Sequence, residues 1–147
     1  MRTAQGYFTL PNKKLLLYTD GGARGNPGPA GIGVVILDVN KKKIKELCKY
    51  IGEATNNVAE YSALICALEE ASRLGAKDIV AHMDSELITK HLSGEYRVKS
   101  DDMKPLFEKT VALLKTFSSF EIKHIDRSKN KDADKLVNKA INLSSLF

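Results

Sequence analysis

The sequence predicts a single α/β domain in which a mixed five-stranded sheet is flanked by helices. Three apolar segments with short connections come first along the 147-residue chain, and short connections predict an antiparallel meander. Short strands then alternate with segments of helical period, which predicts parallel strands added by crossover helices. A chain of this length fits one hydrophobic core. We predict that residues 14–147 form the domain and that residues 1–13 form an N-terminal extension.

The three strands of the meander are predicted at residues 14–19, 31–38 and 43–51. The first, KLLLYT, is a short apolar run, which is typical of a buried central strand. Segment 21–31 contains five glycines and two prolines, a composition that predicts a turn. The second and third strands are predicted to be joined around Asn40.

The second half of the chain has mainly helical periodicity. Apolar residues recur every three or four positions in its longer segments, which predicts amphipathic helices. The predicted elements are helices at residues 57–74, 86–92, 102–117 and 130–143, and strands at residues 78–83 and 120–125. In sheets of this kind, functional sites gather where strands end and helices begin.

Composition narrows the function only slightly. The chain carries 23 basic and 18 acidic residues, a net charge of +5, which suits a polyanionic partner without requiring one. No apolar run approaches the length that crosses a bilayer, and residues 1–12 contain no stretch that resembles a signal peptide. The two cysteines have no C-x-x-C spacing. We therefore expect a cytoplasmic protein with no membrane partner.

Four acidic residues are placed where the fold can bring distant segments together. Asp20 follows the first strand, Glu60 lies in the first turn of the long helix, Asp84 follows the fourth strand, and Asp134 lies in the first turn of the last helix. Converging carboxylates repel one another unless protons or cations neutralise them. Oxygen-only ligands suit Mg²⁺, and two such ions can act together on a phosphodiester.

Each acid also has a purely structural alternative. Glu60 stands three residues after an asparagine that could cap the helix, which would make Glu60 the N3 residue of a capping arrangement. Asp84 and the serine after it could cap the next helix, and Asp132 and Asp134 could both favour a helix N-terminus. Asp20 is the hardest to explain structurally. No single acid decides between the alternatives.

Four segments resemble the motifs of the ribonuclease HI family and occur in that family's order. They are YTDGGARGNPGPAG at residues 18–31, TNNVAEY at 55–61, MDS at 83–85 and NKDADKLVN at 130–138. The first two are specific, the third is weak alone, and the four together are strong. The similarity extends from about residue 15 to residue 140.

This resemblance implies a ribonuclease H, an endonuclease that hydrolyses the RNA strand of an RNA–DNA hybrid. It implies that Asp20, Glu60, Asp84 and Asp134 are the catalytic acids and hold two Mg²⁺ ions, or Mn²⁺ ions as an alternative. One ion would activate the attacking water and the other would stabilise the departing 3′ oxygen, which leaves 5′-phosphate and 3′-hydroxyl ends. Asp132 is the rival for the fourth position, but the Ala-Asp-x-Leu context favours Asp134.

The resemblance also implies which residues contact the hybrid. Neutral donors are suitable there, because recognition of RNA depends on the 2′-hydroxyl and not on charge alone. Relatives often have a glutamine at one of these positions, where this chain has a carboxylate. The carboxylate could accept a hydrogen bond from a 2′-hydroxyl, but phosphate would repel it. The implied contacts are Gly25 and Asn26 in the glycine-rich segment, Thr55, Asn56 and Asn57 at the long helix, and Glu86 at the glutamine position.

Two features depart from the best-known bacterial pattern. The segment at residues 93–100 is short and the chain has no tryptophan, so the basic protrusion of that branch is absent and the chain resembles a compact branch. Many relatives also carry an auxiliary histidine before the last helix. Here His124 falls in a predicted strand, and Arg127 better fits the position that compact relatives use near the active site.

Other functions remain open from sequence. The chain could be a binding module that has lost catalysis, although the presence of all four acids argues against that. It could also be a nuclease of the same broad fold that acts on DNA. A third alternative is a non-enzymatic interaction protein, and its only support is the apolar tail at residues 141–147. We expect this tail to dock on its own core in a monomer, with a tail-mediated dimer as the alternative.

Overall fold

The computed structural model describes residues 14–144, which form one five-stranded sheet with helices on both faces. The strand order is β3-β2-β1-β4-β5. Strands β1 to β3 pair antiparallel, whereas β4 pairs parallel to β1 and to β5, which confirms the predicted mixed sheet. The strands are β1 (Lys14–Ala23), β2 (Gly28–Leu37), β3 (Lys43–Ala54), β4 (Asp78–Met83) and β5 (Ser119–His124), and the helices are α1 (Asn56–Arg73), α2 (Glu86–Ser93), α3 (Lys104–Leu114) and α4 (Lys131–Ser144).

The helices cover the sheet from opposite sides because side chains alternate along each strand. Leu15 and Leu17 of β1 point to the α1 face and are fully buried with Leu64 and Leu68 of that helix. On the other face, β2 has a glycine, Gly33, against the start of α4. The larger core therefore lies under α1, and α4 packs closely against strand backbone.

The prediction that residues 21–31 form a turn is wrong at both ends. Strand β1 continues to Ala23 and β2 begins at Gly28, so only four residues connect them. The glycines inside the strands are explained by helix packing. A Cβ at Gly21 would lie 2.2 Å from the backbone of Ala59 in α1, and a Cβ at Gly33 would lie 2.2 Å from the carbonyl oxygen of Ala133 in α4. Glycine permits this close approach of a helix within a strand.

The capping alternative for Glu60 is wrong, and the capping alternative at residues 84 and 85 is confirmed for the serine only. The N-cap of α1 is Thr55, whose side chain accepts a hydrogen bond from the Val58 amide at 3.2 Å. Glu60 therefore lies too far into the helix to be the N3 residue of a capping arrangement. The N-cap of α2 is Ser85, whose Oγ accepts from the Ile88 amide at 3.2 Å. Neither Glu60 nor Asp84 caps its helix.

Helix α3 is shorter than predicted at both ends, Lys104–Leu114 instead of residues 102–117. Pro105 occupies the first turn of the helix, where its missing N–H costs nothing. Phe117 follows the helix in a tight turn and is still buried in the core. The predicted extension at residues 1–13 and the last three residues of the tail lie outside the described residues. None of the described helices is long and apolar enough to cross a membrane.

Candidate active site

Three of the four predicted acids converge at one edge of the sheet. Asp20, Glu60 and Asp84 each offer a carboxylate oxygen, and these oxygens lie within 4.8 Å of one another. The pairing of β1 with β4 ends at Tyr18 and His82, so β1 runs on past its neighbour and carries Asp20 beside the residue that follows β4. The fold thus juxtaposes residues that are far apart in sequence.

Glu60 reaches this edge because α1 crosses β1 at a glycine. The position of a Cβ at Gly21 lies 2.5 Å from the amide nitrogen of Glu60, a distance that no side chain could occupy. The missing side chain lets the first turns of α1 lie directly on the strand. Glu60 is consequently held next to Asp20 by backbone packing.

Asp134 lines the same cleft, which has a volume of about 430 Å³. Its carboxylate is among the groups that raise the pKa of Asp20. Arg127 also lines the cleft, with its Nη2 3.8 Å from Oδ1 of Asp134. Asp132, the rival for the fourth position, lines a different cavity. The placement therefore favours Asp134 over Asp132.

The electrostatics of the cluster favour binding of a cation. Burial, followed by the charge of Asp84, raises the pKa of Asp20 to about 8. Burial also raises the pKa of Glu60 to about 7, although a hydrogen bond from Ser85 opposes the shift. Half-buried carboxylates that resist ionisation are stabilised as anions when a divalent cation binds them. An oxygen-only donor set fits Mg²⁺ or Mn²⁺ better than softer metals.

A buried asparagine supports the cluster from behind. Asn130 is 2% exposed, and its Nδ2 donates to the backbone oxygen of Thr19 at 2.8 Å and more weakly to Oδ2 of Asp84 at 3.4 Å. It therefore ties β1 and the residue after β4 to the start of α4. Sequence reasoning did not single out Asn130, although it opens the fourth motif.

We expect changes at Asn130 to destabilise the fold in a defined order. Asn130→Ala leaves the Thr19 oxygen without its donor, which costs about 1–3 kcal/mol. Asn130→Asp keeps the shape but puts a carboxylate beside that oxygen and Asp84, so its free energy of unfolding should fall further. Urea denaturation without metal at pH 7 measures both. An Asn130→Asp variant as stable as the parent would contradict this role.

The asparagines predicted to contact the hybrid also hold the turn between β1 and β2 against α1. Oδ1 of Asn26 accepts from the Asn56 amide at 3.0 Å, and Oδ1 of Asn56 accepts from the Ala23 amide at 2.8 Å. Asn56 is exposed and lines the cleft. Gly25 is exposed in the same turn with a φ of 100°, a conformation that favours glycine.

The remaining predicted residues lie outside the cleft. Thr55 is used as a helix cap, Asn57 is half-buried, and Glu86 is exposed with its carboxylate 3.5 Å from Nζ of Lys90. His124 is exposed at the end of β5 and does not line the cleft, unlike Arg127. Among the two auxiliary candidates, the placement thus favours Arg127. The functional roles of all these residues stay predictions.

Two cleft residues with polar side chains were not predicted as site residues. Nη2 of Arg24 lies 3.4 Å from Oδ1 of Asn138, and both residues line the cleft with the acids. Asn138 stands one helical turn after Asp134, so the i, i+4 spacing was a signal that could have found it. Arg24 gave no comparable signal beyond being the one cation in a glycine-rich segment.

Comparison with known proteins finds similar sequences and folds over most of the chain. The family model described as reverse transcriptase-like matches residues 18–140. A crystal structure of RNase H1 from the archaeon Halobacterium salinarum is 40% identical, with a TM-score of 0.86, and the match covers 88% of this chain and 98% of that one. LC11-RNase H1, isolated from compost, has been solved in complex with an RNA/DNA hybrid; it is 47% identical, with a TM-score of 0.84 over 88% of this chain and 98% of that one.

Curated relatives include longer proteins. A bifunctional protein of Mycobacterium tuberculosis is 39% identical over 133 residues, which cover 90% of this chain but 36% of that protein. Ribonuclease HI of Halobacterium salinarum is 41% identical over 124 residues, 84% of this chain and 62% of that protein. The chain therefore spans about a third to two thirds of the length of these relatives.

Proposed function

The chain belongs to the ribonuclease HI family, and on that basis we propose that it is an endonuclease that hydrolyses the RNA strand of RNA–DNA hybrids. The observation that carries the proposal is the convergence of Asp20, Glu60 and Asp84 within 4.8 Å, in a cleft that Asp134 also lines. The complex of LC11-RNase H1 with a hybrid supports the choice of substrate, since that protein is 47% identical to this chain.

We propose that the four carboxylates hold two Mg²⁺ ions, or Mn²⁺ ions as an alternative. When bound, such ions lower the pKa of a coordinated water and neutralise negative charge that develops on the phosphate. The protein fixes the carboxylates through rigid elements: β1 supplies Asp20, α1 supplies Glu60 and α4 supplies Asp134. Asn130 orients the cluster through its hydrogen bond to Asp84.

The cleft residues around the acids suit a nucleic acid backbone. Arg127 is paired with Asp134 but 82% exposed, so its guanidinium can also pair with a phosphate of the scissile strand. Asn56 places a neutral amide at the cleft. This amide can form a hydrogen bond with a 2′-hydroxyl and carries no charge that would attract or repel phosphate. Gly25 and Asn26, together with Thr55 and Asn57, extend this neutral surface along the start of α1.

The end chemistry tests the proposed mechanism. We expect cleavage of a labelled hybrid in Mg²⁺ to give RNA products with 5′-phosphate and 3′-hydroxyl ends, because water attacks the phosphate. A 5′-phosphate is identified when the products can be relabelled at the 5′ end only after phosphatase treatment. A 3′-hydroxyl is identified when a polymerase can extend the products. Products with 2′,3′-cyclic phosphates would contradict the proposal, because they form when the neighbouring 2′-hydroxyl is the nucleophile.

Glu86 should weaken hybrid binding through its charge. It is exposed at the start of α2 and only loosely paired with Lys90, so it repels nearby phosphates. We expect Glu86→Gln to lower KM for a hybrid by about two- to fivefold, with kcat unchanged, because surface charges contribute on the order of 1 kcal/mol or less. The difference should shrink at high salt. An unchanged KM at low salt would place Glu86 away from the substrate.

The cytoplasmic setting and the monomeric state belong to the same proposal. All four acids of the cleft come from one chain, so the site is complete without a second copy. Sedimentation of the full chain at assay concentrations tests the monomer. A dimer that dissociates when residues 141–147 are removed would support pairing through the tail instead.

A further inference from the structure

Arg24 lies in the turn between β1 and β2, and its backbone is fixed there. Its amide donates to the carbonyl oxygen of Pro29 at 2.9 Å, and the amide of the preceding Ala23 donates to Oδ1 of Asn56 at 2.8 Å. A Cβ at Gly28 would lie 2.1 Å from the carbonyl oxygen of Arg24, so the two ends of the turn pack closely together. The arginine side chain therefore starts from a fixed point beside the cleft, which it lines.

The guanidinium of Arg24 is held beside α4 by Asn138. Nη2 of Arg24 lies 3.4 Å from Oδ1 of Asn138, whose Nδ2 donates to the carbonyl oxygen of Asp134 at 3.1 Å. A carbonyl oxygen only accepts, so the amide nitrogen of Asn138 faces Asp134 and the amide oxygen is left for the arginine. Asn138 stands four residues after Asp134, which is about 6 Å along the helix axis. The guanidinium is therefore held beside the turn of α4 that follows the fourth acid.

The acids of the cleft do not neutralise Arg24. Within residues 14–144 its guanidinium contacts a neutral amide and no carboxylate, whereas Arg127 is paired with Asp134 at 3.8 Å. Arg127 also lowers the pKa of Glu60, and Arg24 is not among the charges that shift it. A long hydrogen bond between exposed groups contributes little to stability, so the fold gains little from an arginine here. The cleft thus holds an unneutralised cation that stands apart from the four acids.

We propose that Arg24 binds a phosphate of the RNA strand next to the phosphate that is cut, and that Asn138 positions it. The inference rests on the proposed function, which places the scissile phosphate at the four acids and makes the strand in the cleft the RNA strand. Arg24 lines the same cleft about 6 Å further along α4 than Asp134, which is close to the step between neighbouring phosphates of a nucleotide chain. Its planar fork of donors matches two oxygens of a phosphate.

Binding without cleavage is measured on the full chain carrying Asp20→Asn, by fluorescence anisotropy of a labelled hybrid in Mg²⁺. In that background Arg24→Gln should raise Kd about tenfold, because a charge-assisted contact is lost. It should also lower the slope of log Kd against log salt by about 1, the contribution of one phosphate contact. Arg24→Lys should keep the slope and raise Kd about threefold, because the charge stays but the fork is lost. The control Lys77→Gln removes a charge from an exposed residue outside the cleft and should leave Kd unchanged.

Asn138→Ala tests the positioning role. It should raise Kd about threefold when Arg24 is present, since an unguided arginine has to be ordered when the phosphate binds. In the chain with Arg24→Gln it should have no further effect, because Asn138 acts through the arginine. A double variant whose loss equals the product of the two single losses would overturn the positioning role.

The bound phosphate is located with hybrids that carry one uncharged methylphosphonate linkage at a time, in either strand. In the RNA strand the ribose before that linkage is made 2′-deoxy, and the same deoxy hybrid with an ordinary phosphate is the reference. The chain with all four acids defines the cut position on the unmodified hybrid. One linkage that flanks the cut in the RNA strand should weaken binding when Arg24 is present, and should not weaken it further in Arg24→Gln. Coupling at a DNA-strand linkage, at the cut linkage or at no linkage would overturn the inference.

The outcomes for this inference and for the proposed function are distinct. If the chain with all four acids cuts no hybrid, the proposed ribonuclease activity is wrong and the inference falls with it. If that chain cuts the hybrid, and Arg24→Gln binds and cuts as Lys77→Gln does, only the inference is wrong.

Discussion

Asp20→Asn is expected to reduce hybrid cleavage by at least about a thousandfold while leaving the fold intact. The pKa of Asp20 is raised by each of the other three acids. The neutral amide is a poor ligand for a divalent cation, whose charge stabilisation contributes several kcal/mol, and about 1.4 kcal/mol corresponds to a factor of ten in rate. Single-turnover cleavage with saturating enzyme measures the loss. Asp84→Asn should behave in the same way.

The stability of the same variant separates a catalytic loss from unfolding. The pKa of Asp20 is raised in the folded chain to about 8 from an ordinary value of 3.8, so between these values the folded state binds more protons than the unfolded state. Without metal, the free energy of unfolding therefore falls as pH rises through this window. Asp20→Asn removes that dependence and should be at least as stable as the parent at pH 9 in EDTA.

Asp102→Asn is the matched control, because it makes the same change at an exposed acid outside the cleft. It should cut hybrids at the parental rate. If folded Asp20→Asn still cleaved the hybrid, the carboxylate cluster would not be part of the mechanism. Equal losses in both variants would show that the assay responds to charge in general.

Gly21→Ala is expected to destabilise the fold by about 3 kcal/mol or more, the upper end of what overpacking costs. The new Cβ would lie 2.2 Å from the Ala59 backbone, and backbone cannot yield as a flexible side chain can. Helix α1 would have to move away from β1, which also separates Glu60 from Asp20. Urea denaturation gives the stability, and hybrid cleavage by the remaining folded protein should fall with it.

Gly22→Ala provides the comparison at the adjacent position. Its Cβ would meet Val137 Cγ1 at 3.4 Å, an ordinary contact with a side chain, so we expect a change in the free energy of unfolding of about 0.5 kcal/mol or less. Equal stability of the two alanine variants would show that α1 does not rely on the missing side chain at Gly21.

The strand and helix pattern could be predicted because its signals are local, and the convergence of Asp20, Glu60 and Asp84 could be predicted from their positions at the ends of elements. Period and short connections predicted the antiparallel meander and the added parallel strands, and motif context favoured Asp134 over Asp132, a choice that stays a prediction. Cap residues were harder to assign. Thr55 and Ser85 are both suitable caps, but neighbouring asparagine and aspartate residues are equally suitable by type, and only the backbone conformation decides between them.

The glycine-rich segment shows where sequence reasoning stops. Glycine is common both in turns and in strands that another backbone approaches closely, and the composition of residues 21–31 does not distinguish the two. The close contacts of Gly21 with α1 and of Gly31 with α4 depend on tertiary packing. The same is true of Asn130 and of the pairing of Arg24 with Asn138, whose partners lie more than 100 residues away.

The most direct test of the central claim is strand-specific cleavage by the full chain. An RNA–DNA hybrid labelled on either strand is incubated in Mg²⁺ and in Mn²⁺, beside single-stranded RNA and duplex DNA, with and without EDTA. We predict cuts only in the RNA strand of the hybrid, and none in EDTA. Cleavage of the DNA strand or of duplex DNA, or no cleavage of the hybrid by folded protein with either metal, would contradict the assignment of this cleft as a ribonuclease H active site.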